Sequence, residues 1–208
     1  TSVHEAILAT GNLLDIVPLR PVFDGGGMYR RLGQAILAFQ TSHDHDVLNA
    51  IVEVIPQFAK AYTDLFCEFG FLAESNHFLI GLVTKALTSP KNKRDFVLPI
   101  GERAVDSLGT VAMTLAKNDR ASMYEPYMPG ALRLADSLLP GKSGLESPIP
   151  SNVALTFIER ISYASKKGDP VFESWMRGKL LRKMFAANFT ESLVSALRRV
   201  VIVIPSLE

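Results

Sequence analysis

Apolar residues recur along the chain at the three- and four-residue spacing of amphipathic helices, and the alternation typical of strands is nearly absent. This pattern predicts nine helices, joined by short polar links and bounded by prolines, glycines and N-cap residue types. The predicted helices span residues 3–17, 28–39, 47–69, 75–87, 98–116, 125–139, 151–166, 170–187 and 191–204. Pro56 interrupts the third segment, which predicts either one kinked helix or two abutting helices. We therefore expect an all-α fold.

Two architectures fit nine such helices: helical hairpins stacked as a solenoid, or a compact multi-helix bundle. Residues 98–139 and 151–187 each have the length of one helix pair in a repeat of about 40 residues, which can bury its apolar faces only against its neighbours. Residues 140–150 contain three prolines, two glycines and two serines, and are the most linker-like stretch. The sequence thus predicts a helical-repeat region over 1–139, a linker-like loop, and C-terminal hairpins over 151–208 that could continue the first region.

The segments 102–112 and 124–139 carry the most specific pattern in the chain. The first contains an Arg-x-Ala-x-x-x-Leu-Gly-x-x-Ala run, and the second opens with Pro-Tyr-x-Pro before leucines at helical spacing. The residues that carry this pattern are Arg103, Ala104, Leu108, Gly109, Ala112, Pro126, Tyr127, Pro129, Leu132, Leu138 and Leu139. In these positions the unit resembles HEAT repeats of the importin-beta (karyopherin) superfamily. The resemblance implies a HEAT-like solenoid, a segment of a nuclear transport receptor, and cargo or a small GTPase as partner.

Charge changes this picture in the last third of the chain. The whole sequence has a formal net charge of +1, but residues 151–208 carry nine basic and five acidic side chains. Arg177, Lys179, Arg182 and Lys183 form a basic cluster there, and the last three are spaced for one helix face. The cluster predicts either a patch for an acidic partner or phosphate backbone, or an ordinary solvated face. The overall charge is too small to predict nucleic-acid binding.

The run His43, Asp44, His45 and Asp46 is the one group of neighbours that suggests metal chemistry, since imidazole and carboxylate groups bind metals in helical phosphohydrolases. Adjacent side chains on a helix point about 100° apart, so a metal would need further ligands from elsewhere in the fold. A polar cap, with Ser42 or Asp46 as the N-cap of the following helix, explains the same residues without a metal.

Other chemistry has little support in the sequence. No serine lies in a Gly-x-Ser-x-Gly context, and Cys67, the single cysteine, lies among apolar residues, which is typical of a packed thiol in a reducing compartment. Neither an apolar run of about 18 residues nor a signal-peptide pattern occurs. We expect an intracellular, cytoplasmic or nuclear protein-binding scaffold without enzymatic activity or cofactor. The alternatives are a metal-dependent phosphohydrolase using His43 to Asp46, and a compact helical adaptor or ligand-binding bundle.

Overall fold

The structure is a computed structural model that describes residues 2–16, 27–140, 147–187 and 190–204. These residues form helices and turns and no strand, so the predicted all-α fold is confirmed. The α-helices are α1 (Val3–Leu14), α2 (Met28–Leu37), α3 (His45–Ala61), α4 (Thr63–Glu68), α5 (Phe71–Thr88), α6 (Arg94–Lys117), α7 (Met128–Leu138), α8 (Ser151–Ser162), α9 (Pro170–Trp175), α10 (Leu181–Ala186) and α11 (Glu191–Val203). Short 3-10 segments, Lys91–Lys93 and Ala121–Tyr127, precede α6 and α7, and a π-helical turn, Met176–Leu180, joins α9 to α10.

The helices stack in two layers. In the first layer α1 packs against α3, α3 against α6, α6 against α8, and α8 against α11. The second layer contains the helices that alternate in sequence with those of the first: α2, α5, α7 and the α9–α10 segment. Helix α5 packs along α6 of the first layer, and α7 packs against α8. Helices α3 and α6 bury side chains around most of their circumference, so each requires neighbours on several sides. This stacking fits a HEAT-like solenoid as well as a multi-helix bundle.

The packed helix pairs are one helix out of the register that the sequence predicted. The predicted units joined α6 to α7 over residues 98–139 and α8 to the α9–α10 segment over 151–187. Instead α6 packs extensively along α5, and it meets the next helix chiefly through the 3-10 segment. Gly101 is part of the reason, because a Cβ added there would lie 2.4 Å from the Cβ of Ala86 on α5. The close approach of α5 and α6 is set by two small residues, which a repeat pattern based on leucines does not detect.

Helix α3 continues through Pro56 and ends at Ala61, and α4 follows from Thr63, so the segment forms two abutting helices that meet at Tyr62 and not at the proline. Proline has no N–H to donate to the carbonyl four residues earlier, which here belongs to Val52. The hydroxyl of Ser107 on α6 donates to that Val52 oxygen at 2.8 Å in the buried interface between the two helices. The acceptor that the proline leaves open is therefore satisfied from a neighbouring helix.

Two other helices begin earlier than the sequence predicted. Helix α5 starts at Phe71, after Gly70 in a left-handed conformation (φ 79°), rather than at a cap formed by Ser75 or Asn76. Ser75 is only 2% exposed and lies inside the helix, so its hydroxyl does not mark the helix start. Helix α6 starts at Arg94, which places Pro99 beyond the first turn where it was expected. Both starts are decided by a backbone turn rather than by a polar cap.

Polar bridges join successive helices of the first layer, and in each bridge the basic side chain comes from the later helix. The pairs are Lys60 with Asp15 (Nζ to Oδ1, 3.8 Å), Arg103 with Asn49 (Nη1 to Oδ1, 3.3 Å), Arg160 with Asp106 (Nη1 to Oδ1, 2.6 Å), and Arg199 over the Tyr163 ring (4.2 Å to the centroid). These bridges lie at the edges of the helix contacts and add to the packing of each helix on its neighbour.

The predicted linker over residues 140–150 lies partly outside the described residues, which omit 141–146. Ile149, at its end, is 1% exposed and belongs to the core. Helix α8 then packs on both α6 and α7, so contacts within the layers continue from one side of this segment to the other. The division of the chain into two regions stays a prediction.

Across the described ranges, no helix combines the length and the apolar character needed to cross a membrane.

Candidate binding groove

The segment that carries the basic cluster begins at Asp169. Its carboxylate accepts hydrogen bonds from the backbone N–H groups of Val171 (2.9 Å) and Phe172 (3.2 Å). Pro170 occupies the first helical position, where a missing N–H costs nothing. The predicted helix start at Gly168-Asp169-Pro170 is confirmed, and the cap fixes the direction in which the basic residues are presented.

The middle of this segment is a π-helical turn, and the spacing of its apolar residues explains it. Four completely buried residues lie four positions apart: Phe172, Met176, Leu180 and Met184. In a regular α-helix each four-residue step advances by about 40°, so three steps would carry the last residue about 120° from the first. The wider π turn at Met176–Leu180 absorbs part of this drift. All four side chains therefore reach the core, and Lys179, Arg182 and Lys183, which lie between them in sequence, are left on the side of the segment that meets α7.

A groove lies between this segment and the C-terminal end of α7. Its volume is about 710 Å³, and it is lined by Asp136, Pro140, Gly178, Lys179, Arg182, Lys183 and Ala186. Three of the four residues of the predicted basic cluster therefore line one groove. The fourth, Arg177, is directed elsewhere and donates from Nε to Oε1 of Glu173 at 2.8 Å. We call these seven lining residues the basic groove.

The three cations of the basic groove have different partners. Lys183 Nζ lies 2.6 Å from Oδ1 of Asp136 and donates to the backbone oxygen of the same residue at 2.7 Å, so this charge is matched. Lys179 Nζ lies 4.5 Å from the centroid of the Trp175 ring, a cation–π contact. Arg182 is exposed and makes no hydrogen bond or ion pair with any residue that the structure describes. Among the residues that the structure describes, no carboxylate therefore neutralises the charges of Lys179 and Arg182 in the groove.

Sequence reasoning missed two parts of this groove. Asp136 lies 47 residues before Lys183 and carries no motif, so no local signal connects it to the basic cluster. Trp175 is half-buried, and its ring supports Lys179. The one signal available from sequence for this contact is the four-residue separation of the tryptophan and the lysine, which places them on one helix face.

The alternative metal site at His43 to Asp46 forms the start of α3. Asp44, rather than the predicted Ser42 or Asp46, is the N-cap, and its Oδ1 accepts from the N–H of Asp46 at 2.9 Å. The N–H of Asp44 in turn donates to Ser42 Oγ at 3.1 Å, and His45 Nδ1 lies 3.1 Å from the backbone oxygen of Phe96. Within the described part of the chain, no three His, Cys, Asp or Glu side chains are placed to share a metal ion. The geometry thus accounts for this run as a capped helix start.

Cys67 is half-buried on α4. Burial, followed by the nearby negative charge of Asp64, raises the pKa of the thiol above its ordinary value. A raised pKa lowers the thiolate fraction and therefore the nucleophilicity of the sulfur. This agrees with the interpretation of Cys67 as a packing residue.

The fold and the groove define an all-α protein of stacked helices with one basic groove among its surface features. No family model matches the sequence, and no solved structure matches it. The chain is similar to a curated protein of rice (Oryza sativa subsp. japonica), serine/threonine-protein kinase TOR, with 26% identity over 211 aligned residues. The alignment covers 99% of this chain but only 7% of the rice protein. The similarity is therefore to a short part of a much longer chain.

Proposed function

We propose that this chain is a non-enzymatic scaffold of HEAT-like helix pairs that binds a protein partner. The observation that carries the proposal is the continuous first layer, in which α1, α3, α6, α8 and α11 each pack on the next. Such a layer adds surface with every helix pair, and extended surfaces of this kind are what helical-repeat proteins use for recognition.

The similarity to the rice kinase supports a structural role rather than a catalytic one. TOR contains HEAT repeats, and the aligned region is a small fraction of that protein. The 208 residues contain none of the three signature motifs of common protein kinases, which are a Gly-rich phosphate loop, an H-R-D catalytic loop and a D-F-G metal motif. We infer that the chain corresponds to helical scaffold of such a protein and not to its kinase domain.

The transport-receptor version of this proposal rests on the resemblance of residues 102–112 and 124–139. Residues 102–112 lie in α6, residues 124–139 extend from the 3-10 segment through α7, and these two helices belong to different packed pairs. Nuclear transport, with cargo or a small GTPase as partner, stays a prediction, and so does an intracellular location. Binding to a small nuclear GTPase in its GTP state is the measurement that checks the transport version.

One experiment separates the scaffold from the phosphohydrolase alternative. The purified chain is screened against a displayed library of random peptides, and in parallel against phosphate monoesters with Zn²⁺, Mn²⁺ or Mg²⁺. The scaffold proposal expects retained peptides that compete with one another and no turnover. A metal-dependent hydrolysis that disappears in His45→Ala would overturn it, and so would a library from which no peptide is retained.

Small-angle scattering separates a stacked solenoid from a compact bundle. A compact domain of 208 residues has a radius of gyration of about 17 Å. A solenoid of stacked pairs should exceed this value clearly, with a pair-distance distribution skewed to long distances. A symmetrical distribution and a radius near the compact value would favour the bundle.

A further inference from the structure

The charges that line the basic groove define the chemistry of its occupant. Asp136 is the one acidic residue among the seven lining residues, and it is already paired with Lys183. Lys179 and Arg182 are left facing the groove, so an occupant that carries negative charge gains from both. A neutral or basic occupant would leave both charges to be desolvated without compensation.

The two free cations are prepared for carboxylates in different ways. The guanidinium of Arg182 is planar and can donate two parallel hydrogen bonds to one carboxylate. The ammonium of Lys179 is a single point charge, and its position over the Trp175 ring reduces the freedom that it loses on binding. One carboxylate for each cation, on neighbouring residues of a flexible segment, satisfies this arrangement.

The size of the groove favours a peptide over a nucleic acid. A volume of about 710 Å³ lies within the range of pockets that bury small ligands or a few residues of a peptide. Duplex or single-stranded nucleic acid is usually held by many phosphate contacts, of the order of 6–10, whereas the described lining of this groove offers two cations without a carboxylate partner. The formal net charge of +1 adds no long-range attraction for a polyanion.

We propose that the basic groove binds a short acidic segment, rich in Asp and Glu, of a partner protein. Arg182 holds one carboxylate through two hydrogen bonds, Lys179 holds a second, and the Lys183–Asp136 pair ties α10 to α7 and keeps the groove walls together. This proposal rests on the proposed scaffold function, since it names the chemistry of the partner at one surface of that scaffold.

The test uses a labelled ten-residue peptide with five Asp and Glu residues, and a matched peptide in which these are Asn and Gln. Fluorescence anisotropy at about 50 and 200 mM NaCl gives Kd for both peptides. We expect the acidic peptide to bind at least tenfold more tightly, and its Kd to rise with salt because exposed charges are screened. Arg182→Gln should weaken binding by roughly tenfold, the loss expected for one charged hydrogen-bond partner, and Arg182→Lys by less.

Two variants keep this test independent of folding. Arg177→Gln is the matched control, because this arginine belongs to the same helical segment but pairs with Glu173 outside the groove. It should change Kd by less than about twofold, in the range of a rim charge. Asp136→Asn should tighten binding severalfold, since it removes the one carboxylate among the seven lining residues, while Lys183 can still donate to the backbone oxygen of residue 136 and so keep α10 tied to α7. A gain of affinity does not follow from misfolding.

The outcomes separate this inference from the function on which it depends. Equal Kd values for the acidic and the amide peptide, or equal effects of Arg182→Gln and Arg177→Gln, would overturn the acidic-segment assignment. Binding that requires a phosphorylated peptide and is absent with Asp and Glu would overturn it as well. If peptides of another composition are still retained from the random library, the scaffold proposal survives. If no peptide of any composition is retained, both proposals fail.

Discussion

Removal of the Ser107 hydroxyl tests the way in which α3 tolerates its proline. In Ser107→Ala the backbone oxygen of Val52 loses its 2.8 Å hydrogen bond, and Pro56 has no N–H to replace it. Val52 is 1% exposed, so water does not reach the carbonyl readily. A buried acceptor without a partner costs about 1–3 kcal/mol. We expect the free energy of unfolding to fall by about 2 kcal/mol, the middle of this range. For a slope of about 2 kcal/mol/M, this lowers the urea midpoint by roughly 1 M.

The second variant in this experiment restores the missing donor. In a Pro56→Ala background the new N–H can bond to Val52 in the ordinary helical way, so Ser107→Ala should cost less than about 0.5 kcal/mol there. Ser137→Ala is the matched control, because this hydroxyl bonds a carbonyl of its own helix (Arg133, 3.1 Å) at an exposed position. The reasoning is refuted if Ser107→Ala costs the same with and without the proline, or no more than the control.

Three further predictions concern packing and ionisation. Gly81→Ala, on the open surface of α5, should stabilise the protein by about 0.5–1 kcal/mol. Gly101→Ala should instead destabilise it by about 1 kcal/mol, because its new Cβ would lie 2.4 Å from that of Ala86. Equal urea midpoints for the two variants would contradict the α5–α6 pairing. Because the pKa of the Cys67 thiol is raised by burial, alkylation by iodoacetamide at about pH 8 should be slower than that of a free cysteine, and an equal rate would argue against this environment. Burial also raises the pKa of Tyr29, so the folded protein holds this proton more tightly than the unfolded chain does. The contribution of Tyr29 to the free energy of unfolding should be constant below about pH 10 and should fall at higher pH, and the fall above pH 10 should be smaller in Tyr29→Phe; equal profiles for the two proteins would contradict it.

The sequence predicted those features that depend on residues close together along the chain. Helical periodicity, the Asp169-Pro170 start and the spacing of Lys179, Arg182 and Lys183 are local, because a helix brings together residues three and four apart whatever surrounds it. For this reason the all-α fold and the three cations of the basic groove could be recognised without a structure. Arg177 was grouped with them because sequence spacing does not reveal which neighbour, here Glu173, takes a charge.

The tertiary structure decided those features that depend on residues far apart in sequence. Ser107 reaches a carbonyl 55 residues away and so allows α3 to continue through its proline. Asp136 reaches Lys183 across 47 residues and completes the basic groove. The pairing of α5 with α6 depends on Gly101 meeting Ala86, a steric fit between two surfaces. Such contacts depend on the positions of whole helices, which are set by the burial of apolar surface summed over the molecule, so no single stretch of sequence encodes them.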